Sequence, residues 1–154
     1  MKETEAEVRL VDIGELQGAT AINRRAARRA VGKPVHLDMS VRLVPDLARD
    51  MLSLVVKSSY VFSGELYRER LMTCSVYANF EVKDLKENIE RHGENAVVDS
   101  QLMMLMLGVA VGALRGIVAV RTKGTLLESR PLPIINISAL MYRLHYGEEP
   151  QNLF

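Results

Sequence analysis

The side chains with catalytic or metal-binding potential are few and widely separated along this sequence. His36, His92 and His145 fall in three different segments, and Cys74 is the single cysteine of the chain. Zinc sites need several histidine and cysteine ligands at short, characteristic spacings, and these residues lack such spacings. The sequence also contains no G-x-S-x-G elbow and no Walker-type phosphate loop. We therefore expect no enzymatic activity, no metal and no cofactor.

The composition indicates one globular domain over residues 1–154, with flexible tails at 1–5 and 145–154. Of the 154 residues 48% are hydrophobic and 25% are charged, and the formal net charge is +1. This balance argues against a generally basic nucleic-acid binder. A single cysteine excludes an intramolecular disulfide, and the charged N-terminal residues lack the apolar core of a secretion signal. Both features predict a cytoplasmic protein.

Four segments have the pattern of β-strands. The clearest is VHLDMSVRL at 35–43, where apolar and polar residues alternate strictly, so that one face should be buried. Further strands are predicted at 7–13, 51–62 and 71–82, and the last two are joined by a hairpin connection around Gly64. Strands joined by short turns and followed by helices indicate an α+β domain with a four-stranded antiparallel sheet.

The most apolar stretch, LMMLMLGVAVGALRGIVAV at 102–120, predicts a long helix, which is followed by a short C-terminal helix at 137–144. Asp99 or Ser100 can cap the start of the long helix, and Gly124 can end it. Nineteen helical residues span roughly 28 Å, which is just enough to cross a bilayer.

A membrane span is nevertheless disfavoured, because Arg115 lies well inside this apolar stretch. Inserting an arginine at such a position costs about 2.5–3.5 kcal/mol. The predicted sheet also needs an apolar cover, and this helix is the one long candidate in the sequence. We therefore expect a helix buried on the sheet, with no membrane insertion.

On a helical wheel the long helix has two different sides. Bulky residues cluster on one side, namely Met103, Met106, Leu107, Ala110, Leu114 and Ile117. The other side is smooth and mostly apolar, and there we predict an interface between subunits formed by Gln101, Leu105, Gly108, Gly112, Arg115 and Gly116. A helix without a charged side is normally covered on both sides. The alternative is that the short helix or a loop of the same chain covers the glycines.

A basic cluster lies between the first two predicted strands, in INRRAARRAVGK. Arg24, Arg25, Arg28 and Arg29 form pairs four residues apart, which would make a ridge on one or two helical turns. Such a ridge could dock an acidic partner or a phosphate backbone. The alternative is a solvated connection whose arginines pair with acids of the same chain, and we expect no nucleic-acid partner.

With these segments laid out, the chain resembles the SecB family of protein-export chaperones over about 8–144. The C-terminal part, LGVAVGALRGIVAVRTKGTLLESRPLPIINISALMYRL, is similar to the family's long helix, its short loop at 122–125 and its proline-bounded P-(I/V)-N at 133–136. A final short helix contains the Ala139–Leu140 pair. Upstream, VHLDMSVRLVPDLARDMLSLVVKSSYVF is similar to the family's V-x-L-D-(L/M) strand and to the strand after it.

The resemblance implies a homotetramer, built as a dimer of dimers through the long helices. It also implies an ATP-independent holdase that keeps newly made precursor proteins unfolded for translocation. Methionine can accept apolar client segments without a fixed shape. We therefore expect the client to contact Met39, Val41, Met103, Met106, Leu140 and Met141.

Two departures from the family argue against docking of its motor partner SecA. Family members present acidic residues on the sheet and a nearby loop, but here Ser75 stands in the corresponding strand. The connection that should be acidic carries the arginine pairs instead. Some SecB-like proteins guard the antitoxins of toxin–antitoxin systems, and a dedicated chaperone of that kind is the alternative function. A nucleic-acid-binding adaptor acting through the arginines is a further alternative.

Overall fold

The computed structural model describes residues 7–63, 68–92 and 95–146. The predicted N-terminal tail and the hairpin connection around Gly64 lie outside these residues, as does the predicted C-terminal tail beyond residue 146. The described part is an α+β fold with an antiparallel sheet and two C-terminal helices.

One antiparallel sheet contains β1 (Val8–Glu15), β2 (Ala21–Ile22), β3 (Val35–Asp46), β4 (Met51–Ser63) and β5 (Arg68–Val82). Its long strands follow the order β1-β5-β4-β3, and β2 also pairs with β5. The helices are α1 (Arg24–Arg29), α2 (Leu85–Asn88), α3 (Ser100–Arg121) and α4 (Ile137–Tyr146), and a separate hairpin consists of β6 (Ile89–His92) and β7 (Asn95–Val98).

The sheet has five strands instead of the predicted four because its first edge is interrupted. Both β1 and β2 pair with β5, at Glu15↔Val76 and then at Ala21↔Thr73. Between them the chain leaves the sheet in a short loop, in which Gly18 has a φ of +74° that favours glycine. The sequence predicted one strand before the arginine-rich connection. The structure has two, β1 and β2, and both pair with β5.

The face of the sheet under α3 is apolar, as the alternating pattern predicted. Leu37 and Met39 of β3 are buried, and Val41 and Leu43 pack against the same core. The neighbouring strands β4 and β5 contribute the buried residues Leu52, Leu54, Val56, Cys74, Val76, Ala78 and Phe80. Side chains alternate along a strand, and the register of the strands puts all of these residues on one face of the sheet.

Helix α3 lies across this face and supplies the other half of the core. Asp99, one of the two predicted caps, accepts backbone N–H hydrogen bonds from Gln101 at 3.2 Å and from Leu102 at 3.3 Å. The helix ends at Arg121, three residues before the predicted stop at Gly124, and the hydroxyl of its C-cap Thr122 donates to the Val118 carbonyl at 2.8 Å. Its buried side consists of Leu102, Met103, Met106, Leu107, Ala110, Val111, Leu114 and Val118.

Two further parts of the C-terminal half differ in detail from the expectations. Helix α4 continues to Tyr146, so the predicted tail begins as helix. The polar stretch before α3 contains α2 and the β6–β7 hairpin, which the sequence did not predict. Elements of four residues are too short to show a helical or strand period.

The sheet face under α3 can be tested with matched valine substitutions on adjacent strands. We expect Val56→Ala to lower the free energy of unfolding by about 1.5–3 kcal/mol, since Val56 is fully buried and its removal leaves a cavity. Val44→Ala should cost less than about 0.5 kcal/mol, because Val44 is exposed on β3. Urea denaturation of the two variants provides the measurement, and equal losses would contradict the assigned core.

Candidate functional site

Helix α1 forms one wall of a surface depression because its small residues let it lie close to the sheet. Asn23 caps it by accepting the Ala26 backbone N–H at 3.0 Å, and the Asn23 N–H donates to the Leu71 carbonyl at 2.8 Å. Ala26, Ala27 and Ala30 are buried. With the alanines turned inward, the arginines of the same helix are left on the outside.

The connection between α3 and α4 forms the other wall and is held at two points. The Tyr60 hydroxyl, on β4, donates to the Arg130 carbonyl at 2.9 Å. From α3, the Arg115 guanidinium donates to the carbonyls of Leu132 at 3.3 Å and Pro133 at 2.9 Å. These donors satisfy backbone carbonyls of a segment without regular secondary structure, and so fix its course.

Between these walls lies a depression of about 210 Å³, which we call the apolar depression because eight of its ten lining residues are apolar or glycine. It is lined by Ala27, Ala30, Val31, Gly32, Val35, Leu71, Leu126, Leu127, Ser129 and Arg130. Val31 and Leu126 are 63% and 51% exposed, one on each wall. Small-molecule sites usually measure about 300–1,000 Å³, so this depression suits one or two apolar side chains of a peptide.

The residues predicted to contact a client do not line this depression. Met39, Met103, Met106 and Leu140 are at most 1% exposed and fill the space between sheet and helices. Val41 and Met141 are half-buried against the same core. Periodicity identifies an apolar face, but it does not show whether that face meets the chain's own core or a client. In this structure, four of these side chains are packing residues.

Val31 and Leu126, which sequence reasoning missed, are isolated apolar residues in otherwise irregular connections. Neither belongs to a helical or strand period, and only the folded chain brings them to opposite walls of one depression. The one available signal was an apolar side chain in a segment otherwise expected to be solvated, and such residues are common on protein surfaces.

The side of α3 that faces away from the sheet is exposed and uncharged. It consists of Gln101, Met104, Leu105, Gly108, Gly112, Gly116, Ala119 and Val120. A Cβ atom built on Gly108, Gly112 or Gly116 would meet no atom of a packed neighbour within 4 Å. In the described part of the chain, therefore, neither α4 nor a loop covers the glycines. We call these eight residues the open face of α3.

Arg115 was predicted to lie in the same subunit interface. In the structure its guanidinium donates hydrogen bonds to backbone carbonyls of its own chain. It folds back onto the carbonyls of the α3–α4 connection and is half-buried. Its charge therefore lies at the border of the open face and stabilises the same chain.

Among the described residues α3 is the one helix with the length and hydropathy to cross a membrane. The mean hydropathy of its most apolar window is 2.1, and 39% of that window is buried inside the structure. The buried part is the bulky side, which packs on the sheet as predicted.

The four arginines of α1 are all exposed, and among the described residues one of them, Arg29, forms an ion pair. Arg29 donates to Glu69 of β5, with a distance of 3.3 Å from its Nε atom. Arg24, Arg25 and Arg28 form no ion pair with any acid in the described parts of the chain. The expectation that these arginines pair with the chain's own acids is therefore met for Arg29 and not for the other three.

The single cysteine belongs to a polar cluster at the end of α3. Arg121 donates to Glu15 at 2.7 and 3.1 Å, and the Thr20 hydroxyl donates to Glu15 while lying 3.6 Å from the Cys74 sulfur. The Arg121 hydrogen bond lowers the pKa of Glu15, whereas burial raises the pKa of Cys74. A buried, protonated thiol is a poor nucleophile. The cluster ties α3 to β1 and the loop after it.

No group of three or more histidine, cysteine or acidic side chains that could hold a metal ion occurs among residues 7–63, 68–92 and 95–146. His36 is exposed on the face of β3 opposite the core. The apolar depression and the open face of α3 are two candidate interaction surfaces of the described chain.

No known protein family is matched by the chain, and no curated protein sequence matches it either. Among solved structures, it is similar to the Mycobacterium tuberculosis Rv1957 SecB-like chaperone in complex with a ChAD peptide from the Rv1956 HigA1 antitoxin. That match has a TM-score of 0.47 and 14% identity, and covers 84% of this chain and 91% of that one.

A second similar structure is a protein of unknown function from Streptococcus agalactiae. Its TM-score is 0.41 and its identity 11%, with 86% of this chain and 99% of that chain covered. Identities this low assign no individual residue of this chain.

The Tyr60 hydrogen bond that holds one wall of the depression can be tested by substitution and by pH. Tyr60→Phe should lower the free energy of unfolding by about 0.5–1.5 kcal/mol at neutral pH. Burial raises the pKa of Tyr60 to about 12. An unfolded tyrosine titrates near 10, so the folded state holds this proton more tightly.

The resulting stabilisation is fully present below about pH 10 and is lost as the pH rises from about 10 to 12. Urea denaturation across this range should therefore show a steeper loss of stability for the wild type than for Tyr60→Phe. Parallel curves for the two proteins would contradict a buried, hydrogen-bonded phenol.

Proposed function

We propose that this protein is a cytoplasmic, ATP-independent chaperone that holds unfolded polypeptides, and that the apolar depression receives an apolar side chain of the client. The observation that carries the proposal is the depression itself, with Val31 and Leu126 exposed on opposite walls. Exposed apolar residues around a concavity are typical of binding sites. A client side chain would remove both from water.

The chemistry of unfolded chains fits this surface. Such chains have no fixed shape, and what they share is apolar side chains that a folded protein would bury. The lining is aliphatic, with Ser129 and Arg130 as its polar members, so it offers little to orient a defined small molecule. The family resemblance of the sequence adds support, since the quoted C-terminal segment forms a long helix, a connection and a short helix in the expected order.

The holdase proposal predicts that the purified protein suppresses aggregation of a denatured client at stoichiometric amounts without nucleotide. In the variant Val31→Asp/Leu126→Asp we expect most of this suppression to be lost, because two carboxylates would stand where the client's apolar group is buried. Light scattering of the diluted client provides the measurement.

A matched control is Val44→Asp, which places one carboxylate on an exposed position of β3 away from the depression. This variant should suppress aggregation as well as the wild type. A wild-type protein that fails with several unrelated clients would rule out the holdase function.

The client of such a chaperone is either a set of exported precursor proteins or an antitoxin. The Mycobacterium tuberculosis SecB-like chaperone named above binds a peptide of an antitoxin, and a dedicated antitoxin chaperone is the alternative function for this chain. Ser75, at the position where the export family would place an acid, is buried in β5. Partners that copurify from the native host would distinguish the two, because SecA or precursors indicate export and a small antitoxin indicates the dedicated role.

We also propose that the protein self-associates through the open face of α3, which would form one of the two kinds of interface in the dimer of dimers that the family resemblance implies. Eight exposed, uncharged residues cover about five helical turns, and leaving such a surface in water is unfavourable. The glycines remove side-chain bulk from its centre, so a second helix can approach the backbone closely. Packed helices normally lie 8–10 Å apart, and small residues favour the lower end.

Gly112→Leu separates association from folding. In one subunit nothing lies within 4 Å of the added Cβ, and replacing glycine inside a helix is favourable by up to about 1 kcal/mol. We therefore expect a subunit at least as stable as the wild type but an assembly of lower mass, because the leucine holds the helices apart. Sedimentation and urea denaturation of the same sample measure both.

Ser40→Leu, which adds the same side chain to an exposed position of β3, should leave the mass unchanged. If Gly112→Leu sediments like the wild type, the open face does not join subunits.

A further inference from the structure

The rim of the apolar depression carries positive charge. Arg130 lies in the lining itself, and its guanidinium donates to the Lys33 carbonyl at 3.3 Å. The Lys33 ammonium is 5.2 Å from the centre of the Phe62 ring. Arg130 is therefore the one charged residue of the lining, and Lys33 directly follows the lining residue Gly32.

Helix α1 adds two more cations next to the depression. Arg24 lies three residues before Ala27 and Arg28 three residues before Val31, and both Ala27 and Val31 line the site. Residues three apart share a helix face, and the Val31 N–H still donates to the Arg28 carbonyl at 3.4 Å, so the turn continues to that point. Arg25 lies two residues before Ala27 and so on another side of the helix, and Arg29 pairs with Glu69 of β5.

The cations near this rim outnumber the acids, because Arg24, Arg28, Lys33 and Arg130 stand against one carboxylate without an ion pair in the described chain, that of Glu128, which lies between the lining residues Leu127 and Ser129. Glu69 is held by Arg29. The Glu128 carboxylate accepts the Gly124 backbone N–H at 3.3 Å, within the α3–α4 connection. Arg24 and Arg28 are exposed and form no ion pair with acids in the part of the chain that the structure describes.

We propose that the depression selects unfolded segments in which an apolar side chain is flanked by carboxylates. This inference rests on the proposed holdase function and specifies the class of its client. The aliphatic lining binds the apolar group, while Arg24 and Arg28 bind the acids on one side and Arg130 and Lys33 border the other. Guanidinium groups pair well with carboxylates, in geometries that can use two hydrogen bonds.

The same cations could attract nucleic acid, but the lining argues for a peptide. Proteins that bind single-stranded nucleic acid stack the bases on aromatic side chains along a basic groove. No aromatic residue lines this depression, whose apolar members are all aliphatic. An aliphatic peptide segment flanked by carboxylates would pair with the cations of the rim and bury its apolar side chain against the lining.

Three labelled peptides with one Leu-Ile-Leu core test the inference, flanked on both sides by aspartate, serine or lysine. For the full-length protein we expect the aspartate peptide to bind roughly fivefold more tightly than the serine peptide, and the lysine peptide to bind most weakly. The preference should shrink between about 50 and 300 mM salt, because exposed charges are screened. Fluorescence anisotropy gives the dissociation constants.

The variant Arg24→Gln/Arg28→Gln should lose most of the preference for aspartate while still binding the serine peptide. Its control, Arg25→Gln/Arg42→Gln, removes the same charge from another side of α1 and from the exposed face of β3. The control should keep the wild-type preference. A preference reduced equally in both variants would mean that net charge, and not these two arginines, selects the client.

The outcomes separate this inference from the proposed function. If the wild type binds all three peptides equally, the charge selection is wrong and the holdase function stands. If it binds none of them, both fail. A single-stranded RNA oligonucleotide that binds more tightly than the aspartate peptide and requires Arg24 and Arg28 would overturn the inference in favour of a nucleic-acid adaptor.

Discussion

The contact between α3 and the sheet is the interaction on which the rest of the structure depends. Three long strands present an apolar face, and in the described chain α3 is the one helix long enough to cover it. Eight of its residues are buried there. Removing this surface from water is the main favourable term available to the fold. The methionines at 103 and 106 belong to this contact, which explains why they are fully buried in this structure.

The position of α3 on the sheet has two consequences for the surface of the molecule. Because α3 has no charged side, its second side remains apolar and open, with glycines along its centre. Arg115, the one charge in its apolar stretch, turns to backbone carbonyls of the α3–α4 connection. That connection in turn becomes a wall of the depression. The helix that forms the core therefore also shapes both candidate interaction surfaces.

The depression and the open face have different chemistry, which suits different partners. The open face is long, smooth and uncharged, so a second copy with the same surface can match it. The depression is small and aliphatic, and cations of α1 and the connections surround it. A short extended segment with one apolar group and nearby acids matches that pattern. The proposed self-association and the proposed client binding therefore involve different residues of the chain.

Local patterns in the sequence were sufficient for the strands at 35–43, 51–62 and 71–82, for the long helix and for its two sides, because each follows from a period of two or 3.6 residues. The choice between Asp99 and Ser100 as the cap of that helix came from the structure. The short elements before α3 and the split edge strand have no period to read. Whether Met39 and Met106 meet a client or the core, and that Val31 and Leu126 share one depression, was decided by tertiary structure alone. These facts depend on which distant segments pack together, and spacing along the chain carries no information about that packing.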